Sequence, residues 1–324
     1  MNPNLRKILE KQHYKIVGSH SGVKACHWLK EKLIHNRCCY KEKFYGIKSH
    51  RCLQLTPTIN QCTQNCLYCW RYQDFTEQEL ESFDEPEFVL EKSIDAQRLL
   101  ISGFKGDERC DKKMFEEASN PNQVAISLSG EPTIYPKLAE FIEVCHKKNM
   151  TTFVVSNGTQ PEMIENLKPT QMYITVAAPN KEIYKKLCAP MIKNSWEKIN
   201  ESLDILSSLN TRTVVRHTLV DKWNIGLENS GEGSSPSRQI SSKFVDEYAE
   251  LDMKAEPDFI ECKAYMFVGY SRQRMNLENM PSHEKIKSFA EKLSGLTGYE
   301  IAGEKKDSRV VVLAKDKRKM KIER

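Results

Sequence analysis

The 324-residue chain contains no apolar run that approaches the roughly 18 residues needed to cross a bilayer. Its first fifteen residues carry four basic side chains and no apolar block, which is not the pattern of a secretory signal. Hydrophobic residues make up 39% of the chain and charged residues 29%, a composition typical of globular and not of disordered proteins. We therefore expect neither a membrane nor a secreted protein, but a cytoplasmic one with one large domain or two modest ones.

Stable disulfides are not expected either, because the chain shows no export signal and has an odd number of cysteines, 11. Seven of them lie in residues 26–69, and so dense a group of thiols indicates metal binding. Cys145 and Cys262 lie in apolar segments, where we interpret them as small buried hydrophobic residues.

Acidic residues are scarce at both ends of the chain. Residues 1–52 contain 12 Lys and Arg against 3 Asp and Glu, and residues 304–324 contain 9 against 4. Residues 74–87, by contrast, contain seven acidic side chains and no basic one. Two basic ends suggest a polyanionic partner, most simply nucleic acid, although such runs are also common on solvated surfaces.

The most informative motif is the triplet Cys62, Cys66 and Cys69, with the spacing C-x3-C-x2-C. Three thiolates on one short loop can each bind one iron of a 4Fe-4S cluster and leave the fourth iron open to a ligand. A structural zinc site normally has four protein ligands, so zinc would need Cys52 or a histidine as the fourth. The spacing therefore favours a cluster over zinc.

Strands and helices alternate along the chain. Six apolar, β-branched segments predict strands at Leu53–Thr56, Val124–Leu128, Thr152–Val155, Tyr173–Val176, Thr213–Leu219 and Phe259–Phe267. Helical periodicity occurs in Tyr135–Asn149, Trp196–Leu209 and Pro281–Leu296. This pattern predicts an α/β protein with parallel strands, either a partial barrel or an open doubly wound sheet, whose site lies at the carboxyl ends of the strands.

A C-x3-C-x-aromatic-C triplet after the first strand of such a chain resembles the radical S-adenosylmethionine (radical SAM) superfamily. The resemblance implies a partial (β/α)6 TIM-like barrel, which we assign to residues 51–298. Two extensions would flank the barrel: an N-terminal one, residues 1–50, and a C-terminal one with a basic tail, residues 299–324. The C-terminal extension would add a strand pair within Tyr299–Lys315. The resemblance further implies that SAM binds the open iron and is cleaved by one electron to a 5′-deoxyadenosyl radical.

Two strand ends match the elements that bind SAM in this superfamily. Ser129, Gly130 and Glu131 end the second strand and are similar to the Gly-Gly-Glu element that binds the methionyl amine, with serine in place of the first glycine. Ser156 and Asn157 end the third strand, where they can hold ribose hydroxyls or the methionyl carboxylate, although Asn-Gly alone is only a turn.

Polar side chains also interrupt the fifth and sixth strands. His217 either contacts the cofactor or is a satisfied core histidine, and we favour the contact. Three residues share one face of the sixth strand by its period of two and are predicted to contact the substrate unless the first two form an ion pair: Glu261, Lys263 and Tyr265. Beyond this strand, Arg272 and Arg274 are suited to phosphate contacts.

A second set of cysteines precedes the triplet. Cys26, Cys39 and Cys52 are spaced by 13 and 13 residues, with Cys38 beside one of them. Three unrelated buried thiols are improbable in so polar and basic a segment. We therefore predict a second 4Fe-4S cluster, again with one open iron.

The two cysteine sets together resemble a narrower family, the archaeal, single-domain tRNA 4-demethylwyosine synthases. The segments that carry this resemblance are Gly46–Gln54, Leu128–Thr133 and Lys263–Arg272. It implies a lyase-type condensation of N1-methylguanosine, next to the anticodon of tRNA-Phe, with two carbons of pyruvate. Pyruvate would bind the open iron of the second cluster or form a Schiff base with Lys41 or Lys43, of which Lys41 is preferred because it is closer to Cys39.

The expected partners are the tRNA-Phe anticodon loop, with the target base splayed out, pyruvate and a separate low-potential electron donor. A separate electron donor is expected because no flavodoxin-like segment precedes residue 1. We also expect the protein to be a monomer. The polar segment Gly226–Gln239 predicts a surface loop. Two rival functions are a radical SAM enzyme that activates another protein, which would not need the basic ends, and a zinc-stabilised RNA-binding module without catalysis.

Overall fold

Ten strands form one sheet in the computed structural model, which describes residues 1–226 and 240–322. In order across the sheet they are β1 (Lys15–Val17), β2 (Ser21–Val23), β3 (Cys52–Thr56), β4 (Gln123–Ile126), β5 (Thr151–Ser156), β6 (Gln171–Thr175), β7 (Arg212–Leu219), β8 (Phe259–Ala264), β10 (Val310–Ala314) and β9 (Glu300–Lys305). Strands β3 to β8 are parallel, and the two strands at either edge of the sheet run antiparallel to their neighbours.

The six parallel strands are the six that the sequence predicts. They follow one another across the sheet in chain order without a reversal, which is the winding of a barrel and not of a doubly wound sheet. The predicted partial (β/α)6 barrel is therefore confirmed. The sixth strand ends at Ala264 and not at Phe267, because Ala264 pairs with Leu219, the last residue of β7.

Helices connect the parallel strands, as right-handed crossovers require. Within the described residues the helices are α1 (Pro3–Lys11), α2 (His27–His35), α3 (Tyr40–Tyr45), α4 (Pro86–Ile101), α5 (Lys112–Ala118), α6 (Leu138–Lys147), α7 (Pro161–Ile164), α8 (Lys181–Cys188), α9 (Ser195–Leu206), α10 (Ser242–Ala255) and α11 (His283–Thr297). Helices α4 to α10 make these connections, whereas α1 to α3 precede β3 and α11 follows β8. The predicted helices correspond to α6, α9 and α11. The last begins where the Ser282 side chain accepts the Lys285 N–H and ends at Gly298, which has φ +74°. None of the described helices is long and apolar enough to cross a membrane.

Alternate residues of the parallel strands face two different apolar cores. Val154 and Val215 belong to a core that includes helix residues such as Phe289 of α11. Phe153 and Val214, one residue away on each strand, face the barrel interior together with Tyr173 and Phe259, where they contact residues of the N-terminal segment: Tyr40, Phe44, Tyr45 and Ile47. Helix α3 thus fills the inside of the barrel, and this position brings Cys39 and Lys41 into it.

Both ends of the chain extend the same sheet. Strands β1 and β2 form an antiparallel hairpin on the β3 edge, and β9 and β10 form another on the β8 edge. The second hairpin is the strand pair that the sequence predicts within residues 299–315.

Candidate active site

Two arginines fix the loop that carries the cysteine triplet after β3. The Arg71 guanidinium, which is 4% exposed, donates a hydrogen bond of 3.0 Å to the Gln64 carbonyl oxygen. Arg274, from the segment after β8, donates to the carbonyl oxygens of Leu67, Cys69 and Arg71. Because these bonds hold the backbone at several points, the three thiols keep a fixed arrangement. Arg274 therefore supports the cysteine loop, and its phosphate contact stays a prediction.

The environment of the triplet fits a cluster. The charge of Arg71 acts on the thiols of all three cysteines. Burial raises the pKa of Cys62 to about 12, and a hydrogen bond with Cys188 together with burial raises the pKa of Cys66 well above its ordinary value. A metal centre would favour the thiolate form of such thiols, because a coordinating thiol is deprotonated. Cys188, a cysteine isolated in the sequence, is thus a neighbour of this site.

The described residues contain no group of three His, Cys, Asp or Glu side chains that converges closely enough to hold one metal ion. A zinc ion would need such convergence, with four ligands around a single centre. A 4Fe-4S cluster instead takes each thiolate at a different iron atom. Three thiols on one loop are the donor set that three iron corners of such a cluster take.

Gly130 brings the end of β4 against the cysteine loop. Its φ is +67°, and a Cβ at this position would lie 1.7 Å from the Thr58 carbonyl oxygen and 2.6 Å from that of Gln61. The Ser129 hydroxyl donates a hydrogen bond of 2.7 Å to the Ile59 carbonyl oxygen. Only glycine fits where two backbones approach so closely. The predicted SAM element and the cysteine loop therefore lie side by side.

The Glu131 carboxylate is 2% exposed and lies at the centre of a hydrogen-bond network. Its Oε1 accepts from the hydroxyls of Thr133 and Ser156, each at 2.7 Å, and its Oε2 accepts from the Asn157 N–H at 2.7 Å. Burial raises the pKa of Glu131. Among the described residues Oε2 has this one donor, so it keeps the capacity to accept an ammonium group.

Asn157 connects the end of β5 to the cysteine loop. Its Nδ2 donates to the Thr63 hydroxyl at 2.9 Å and lies 3.9 Å from the Cys62 sulfur. Its Oδ1 accepts from the Thr159 hydroxyl at 2.7 Å, which fixes the amide orientation. The structure thus brings together five of the six predicted SAM-contacting residues, all except His217.

His217 faces away from this site. Its Nε2 lies 2.9 Å from the Asp252 carboxylate on α10, and its Nδ1 lies 3.1 Å from the Val176 carbonyl oxygen. The ring is fully buried and its centre lies 4.4 Å from that of Tyr248. The predicted cofactor contact is therefore wrong, because the preceding residue, Arg216, takes the inward-facing position on β7.

A cavity of about 320 Å³ inside the barrel contains the second set of cysteines. We call it the thiol cavity; its lining includes Cys26, Cys39, Cys52, Lys41, Trp70, Arg216 and Lys263. Each cysteine lies at the start of an element, namely α2, α3 and β3, and these elements converge here. Burial raises the pKa of Cys39 and of Cys52 to about 12. Cys38 does not line the thiol cavity.

Lys41 and Lys263 both line the thiol cavity, whereas Lys43 does not. The Lys41 ammonium lies 4.5 Å from the ring centre of Phe153 and 4.6 Å from that of Tyr173. Burial, followed by the charge of Arg216, lowers the pKa of Lys41, and the same causes lower that of Lys263 to about 8.

The Lys43 side chain is exposed and donates a hydrogen bond of 2.6 Å to the Glu304 carbonyl oxygen. The prediction of Lys43 as an alternative to Lys41 is therefore wrong.

Glu261 is fully buried and does not pair with Lys263. It accepts hydrogen bonds from the Tyr45 hydroxyl at 2.7 Å and from Arg216 Nε at 3.0 Å. Arg216 in turn donates to the Tyr40 hydroxyl at 2.9 Å. Glu261 therefore positions Arg216 at the cavity and is not itself a wall of it.

The remaining predicted substrate residues separate in space. The Tyr265 hydroxyl donates to the Ser271 hydroxyl at 2.9 Å, and the side chain is 2% exposed, so it belongs to the core. Arg272 lines a groove beside the thiol cavity.

Of the loop predicted at residues 226–239, all but Gly226 lies outside the described residues.

Comparisons with known proteins agree with this arrangement. The model of the radical SAM superfamily matches residues 56–229, and a model for wyosine base formation matches residues 254–315. An S-adenosyl-L-methionine-dependent tRNA 4-demethylwyosine synthase of Pyrococcus horikoshii is 49% identical over 327 residues, covering 97% of this chain and 91% of that protein.

Solved structures are similar along their whole length. A structure of TYW1 with a lysine-pyruvate adduct bound matches with a TM-score of 0.86 and 39% identity, covering 99% of this chain and 98% of that one. A crystal structure of archaeal TYW1 matches with a TM-score of 0.80 and 35% identity, covering 99% and 100%.

Proposed function

The chain belongs to the S-adenosyl-L-methionine-dependent tRNA 4-demethylwyosine synthases of the radical SAM superfamily, and we propose that it condenses N1-methylguanosine of tRNA-Phe with pyruvate. It is an enzyme that acts on tRNA in wyosine biosynthesis and uses SAM and an iron–sulfur cluster. The match to the wyosine model over residues 254–315 decides against the protein-activating and zinc-binding alternatives. The observation that carries the proposal is the presence of two separate sets of three thiols, one of them beside buried lysines.

We assign the first set, Cys62, Cys66 and Cys69, to a 4Fe-4S cluster that binds SAM. When bound, this pair supplies the 5′-deoxyadenosyl radical that abstracts hydrogen from the unactivated methyl group. Glu131 Oε2 would accept the SAM ammonium. Ser156 orients that carboxylate through its hydrogen bond to Oε1, and Asn157 orients it through its N–H bond to Oε2.

We assign the second set, Cys26, Cys39 and Cys52, to a second 4Fe-4S cluster in the thiol cavity. No fourth cysteine lines this cavity, so such a cluster would keep one open iron. The proximity of the three thiols supports the assignment, since Cys26 and Cys52 both raise the pKa of Cys39 through their charge.

Lys41 is the residue that we propose to bind pyruvate covalently. Its amine would condense with the ketone, forming a C=N bond and releasing water, which makes the former ketone carbon more electrophilic. Among the described residues Lys41 has no hydrogen-bond or ion-pair partner, only the faces of two rings. The cations of Arg216 and Lys263 line the same cavity and would bind the pyruvate carboxylate. The lysine-pyruvate adduct in a similar structure supports a lysine in this role.

The tRNA would reach this site with its target base splayed out of the anticodon loop, at a cost of a few kcal/mol for unstacking. The basic residues near both ends of the chain would bind its phosphates, so affinity should fall as salt concentration rises. We further propose that the enzyme is a monomer and receives its electrons from a separate low-potential donor.

Counting iron tests the two-cluster assignment. Protein reconstituted without oxygen should hold about eight iron and eight sulfide ions per chain, as two 4Fe-4S clusters require. Cys39→Ala should lower the iron content by about half, whereas Cys38→Ala, its neighbour outside the thiol cavity, should not. Four irons in the unaltered protein, or equal losses in the two variants, would contradict the second cluster.

Trapping with borohydride tests the lysine assignment. Reduction in the presence of pyruvate should leave a stable adduct that mass spectrometry places on Lys41. The adduct should disappear in Lys41→Met and persist in Lys43→Met, the matched exposed control. An adduct on Lys263 instead would contradict the assignment of Lys41 and make Lys263 the residue that binds pyruvate.

Product analysis tests the function as a whole. Reconstituted enzyme, SAM, pyruvate, dithionite and tRNA-Phe that carries N1-methylguanosine should yield 5′-deoxyadenosine and the tricyclic base. The same tRNA without the methyl group should yield no tricyclic base. Failure to form this base, with SAM cleavage intact, would contradict the proposed substrate and leave the radical SAM assignment standing.

A further inference from the structure

A groove of about 800 Å³ opens beside the thiol cavity and shares a wall with it. Cys26, Gln54 and Trp70 line both. A molecule in the groove would therefore reach the cavity past the Trp70 indole. Its outer walls come from the start of α2 and from the segment after β8.

The charges of this groove are of one sign. Lys24, Lys30 and Arg272 line it with two histidines, and none of the described aspartates or glutamates does. Among the described residues these three cations have no carboxylate or carbonyl partner, whereas exposed lysines elsewhere, such as Lys222 and Lys315, pair with glutamates. The Lys24 ammonium lies only against two ring faces, 4.9 Å from the centres of Tyr14 and Trp70. Unpaired cations around an open groove are the expected complement of phosphates.

Trp70 is a rigid platform in the wall between groove and cavity. Its carbonyl oxygen accepts a hydrogen bond of 3.0 Å from the Tyr270 N–H, and its indole stacks on Tyr14, with 6.3 Å between ring centres. A Cβ at Gly269, which has φ +59°, would lie 2.5 Å from the Trp70 carbonyl oxygen. The glycine of the Val-Gly-Tyr segment is thus required for this contact. A fixed, partly exposed indole is a good surface for a base to stack on.

We propose that this groove admits the anticodon loop, that Trp70 stacks on the splayed target base, and that Lys24 and Arg272 bind the phosphates on either side of it. The inference rests on the proposed function and names the residues of its substrate site. In the absence of RNA the Lys24 ammonium covers the indole face. On binding, the purine takes that face and Lys24 moves to a phosphate, exchanging a cation–π contact for an ion pair.

Base stacking is tested with an anticodon stem-loop that carries 2-aminopurine at the target position. Stacking on Trp70 should quench its emission in the complex with the unaltered enzyme. The complex with Trp70→Phe should remain quenched, whereas the complex with Trp70→Leu, which keeps an apolar side chain without a ring, should be bright. Equal emission from the Leu and Phe complexes would overturn the stacking role.

The phosphate contacts are tested by affinity for the same stem-loop. Lys24→Gln and Arg272→Gln should each weaken binding about tenfold, about 1.4 kcal/mol, and should each lower the salt slope of log Kd by about one. Lys105→Gln is the matched control, because Lys105 lines a separate cavity near α5. Groove variants that bind like the control would overturn the inference.

Three comparisons keep the outcomes distinct. If Trp70→Leu does not retain its iron, the Lys24 and Arg272 variants still decide whether the groove binds RNA. If the unaltered enzyme converts the tRNA but the groove variants behave like Lys105→Gln, the groove inference fails and the proposed function stands. If free N1-methylguanosine nucleotide competes as well as the stem-loop, the flanking phosphates do not contribute and the inference also fails.

Discussion

Gly130 and Thr58 lie so close together that a β-carbon on the glycine would be 1.7 Å from the threonine carbonyl oxygen. This contact joins the strand end that carries Glu131 to the loop that carries the cysteine triplet. The same pair of segments is joined again by a hydrogen bond of 2.8 Å from the Glu131 N–H to the Gln61 carbonyl oxygen. The position of the carboxylate relative to the thiols is therefore set by backbone contacts and not by flexible side chains.

Gly130→Ala should disrupt this junction. The left-handed conformation alone costs an alanine about 1–2 kcal/mol, and the collision with the Thr58 carbonyl oxygen adds to it. We expect the free energy of unfolding in urea to fall by at least about 2 kcal/mol, with loss of SAM binding. Gly106→Ala is the control, because a β-carbon there meets nothing within 4 Å. Equal stability of the two variants would show that the loop can move away.

Arg274→Gln should loosen the cysteine loop, because it removes a guanidinium that donates to three carbonyl oxygens. We expect less iron per chain after reconstitution and faster loss of absorption in the presence of a chelator. Arg274→Lys should be nearly as harmful, since an ammonium cannot reproduce the planar, multiple contact. Arg318→Gln, which removes an exposed guanidinium paired with Asp316, serves as the control. If Arg274→Lys kept its iron while Arg274→Gln lost it, the positive charge and not the guanidinium would hold the loop, and this role would be contradicted.

The Arg216–Glu261 pair should behave as a buried ion pair. Arg216→Met leaves the fully buried Glu261 carboxylate without its cation, and loss of one partner of such a pair costs about 3–5 kcal/mol. The double variant Arg216→Met, Glu261→Gln removes the unpaired charge and should recover part of this loss. Unfolding in urea measures both. A double variant as unstable as the single one would mean that packing, and not charge, dominates.

The lowered pKa of Lys263 should make the free energy of unfolding rise between about pH 8 and pH 10.5. Its pKa is about 8 in the folded chain and 10.5 in the unfolded one, because burial and the charge of Arg216 oppose protonation. In this window the unfolded state binds more protons, so the free energy of unfolding increases with pH, by at most about 3 kcal/mol. Lys263→Met should lack this contribution, while the exposed control Lys43→Met should keep it. Parallel pH profiles for the unaltered protein and Lys263→Met would contradict the shift.

Local patterns in the sequence predicted the six parallel strands, the cysteine triplet and the glycine-glutamate element. Each depends on neighbouring residues: an apolar run buried on both faces, three thiols on one short loop, and a small residue where a strand ends. The second set of cysteines could be singled out by composition. Their convergence in one cavity, however, depends on α3 entering the barrel, which no local pattern indicates.

What the sequence did not predict correctly is the direction in which particular side chains point. Residues 41 and 43 lie two positions apart on α3, about 200° around a helix, so only one of them can face the thiol cavity. On β7 a shift of one residue exchanges the faces of the sheet, so Arg216 points inward and His217 points to the helices. Arg274 holds a loop about 205 residues earlier in the chain, a contact that sequence separation conceals. The sequence by itself determined which chemical groups this protein has and where its strands lie. Only the tertiary structure decided which groups face one another, because that depends on the register and the packing of distant segments.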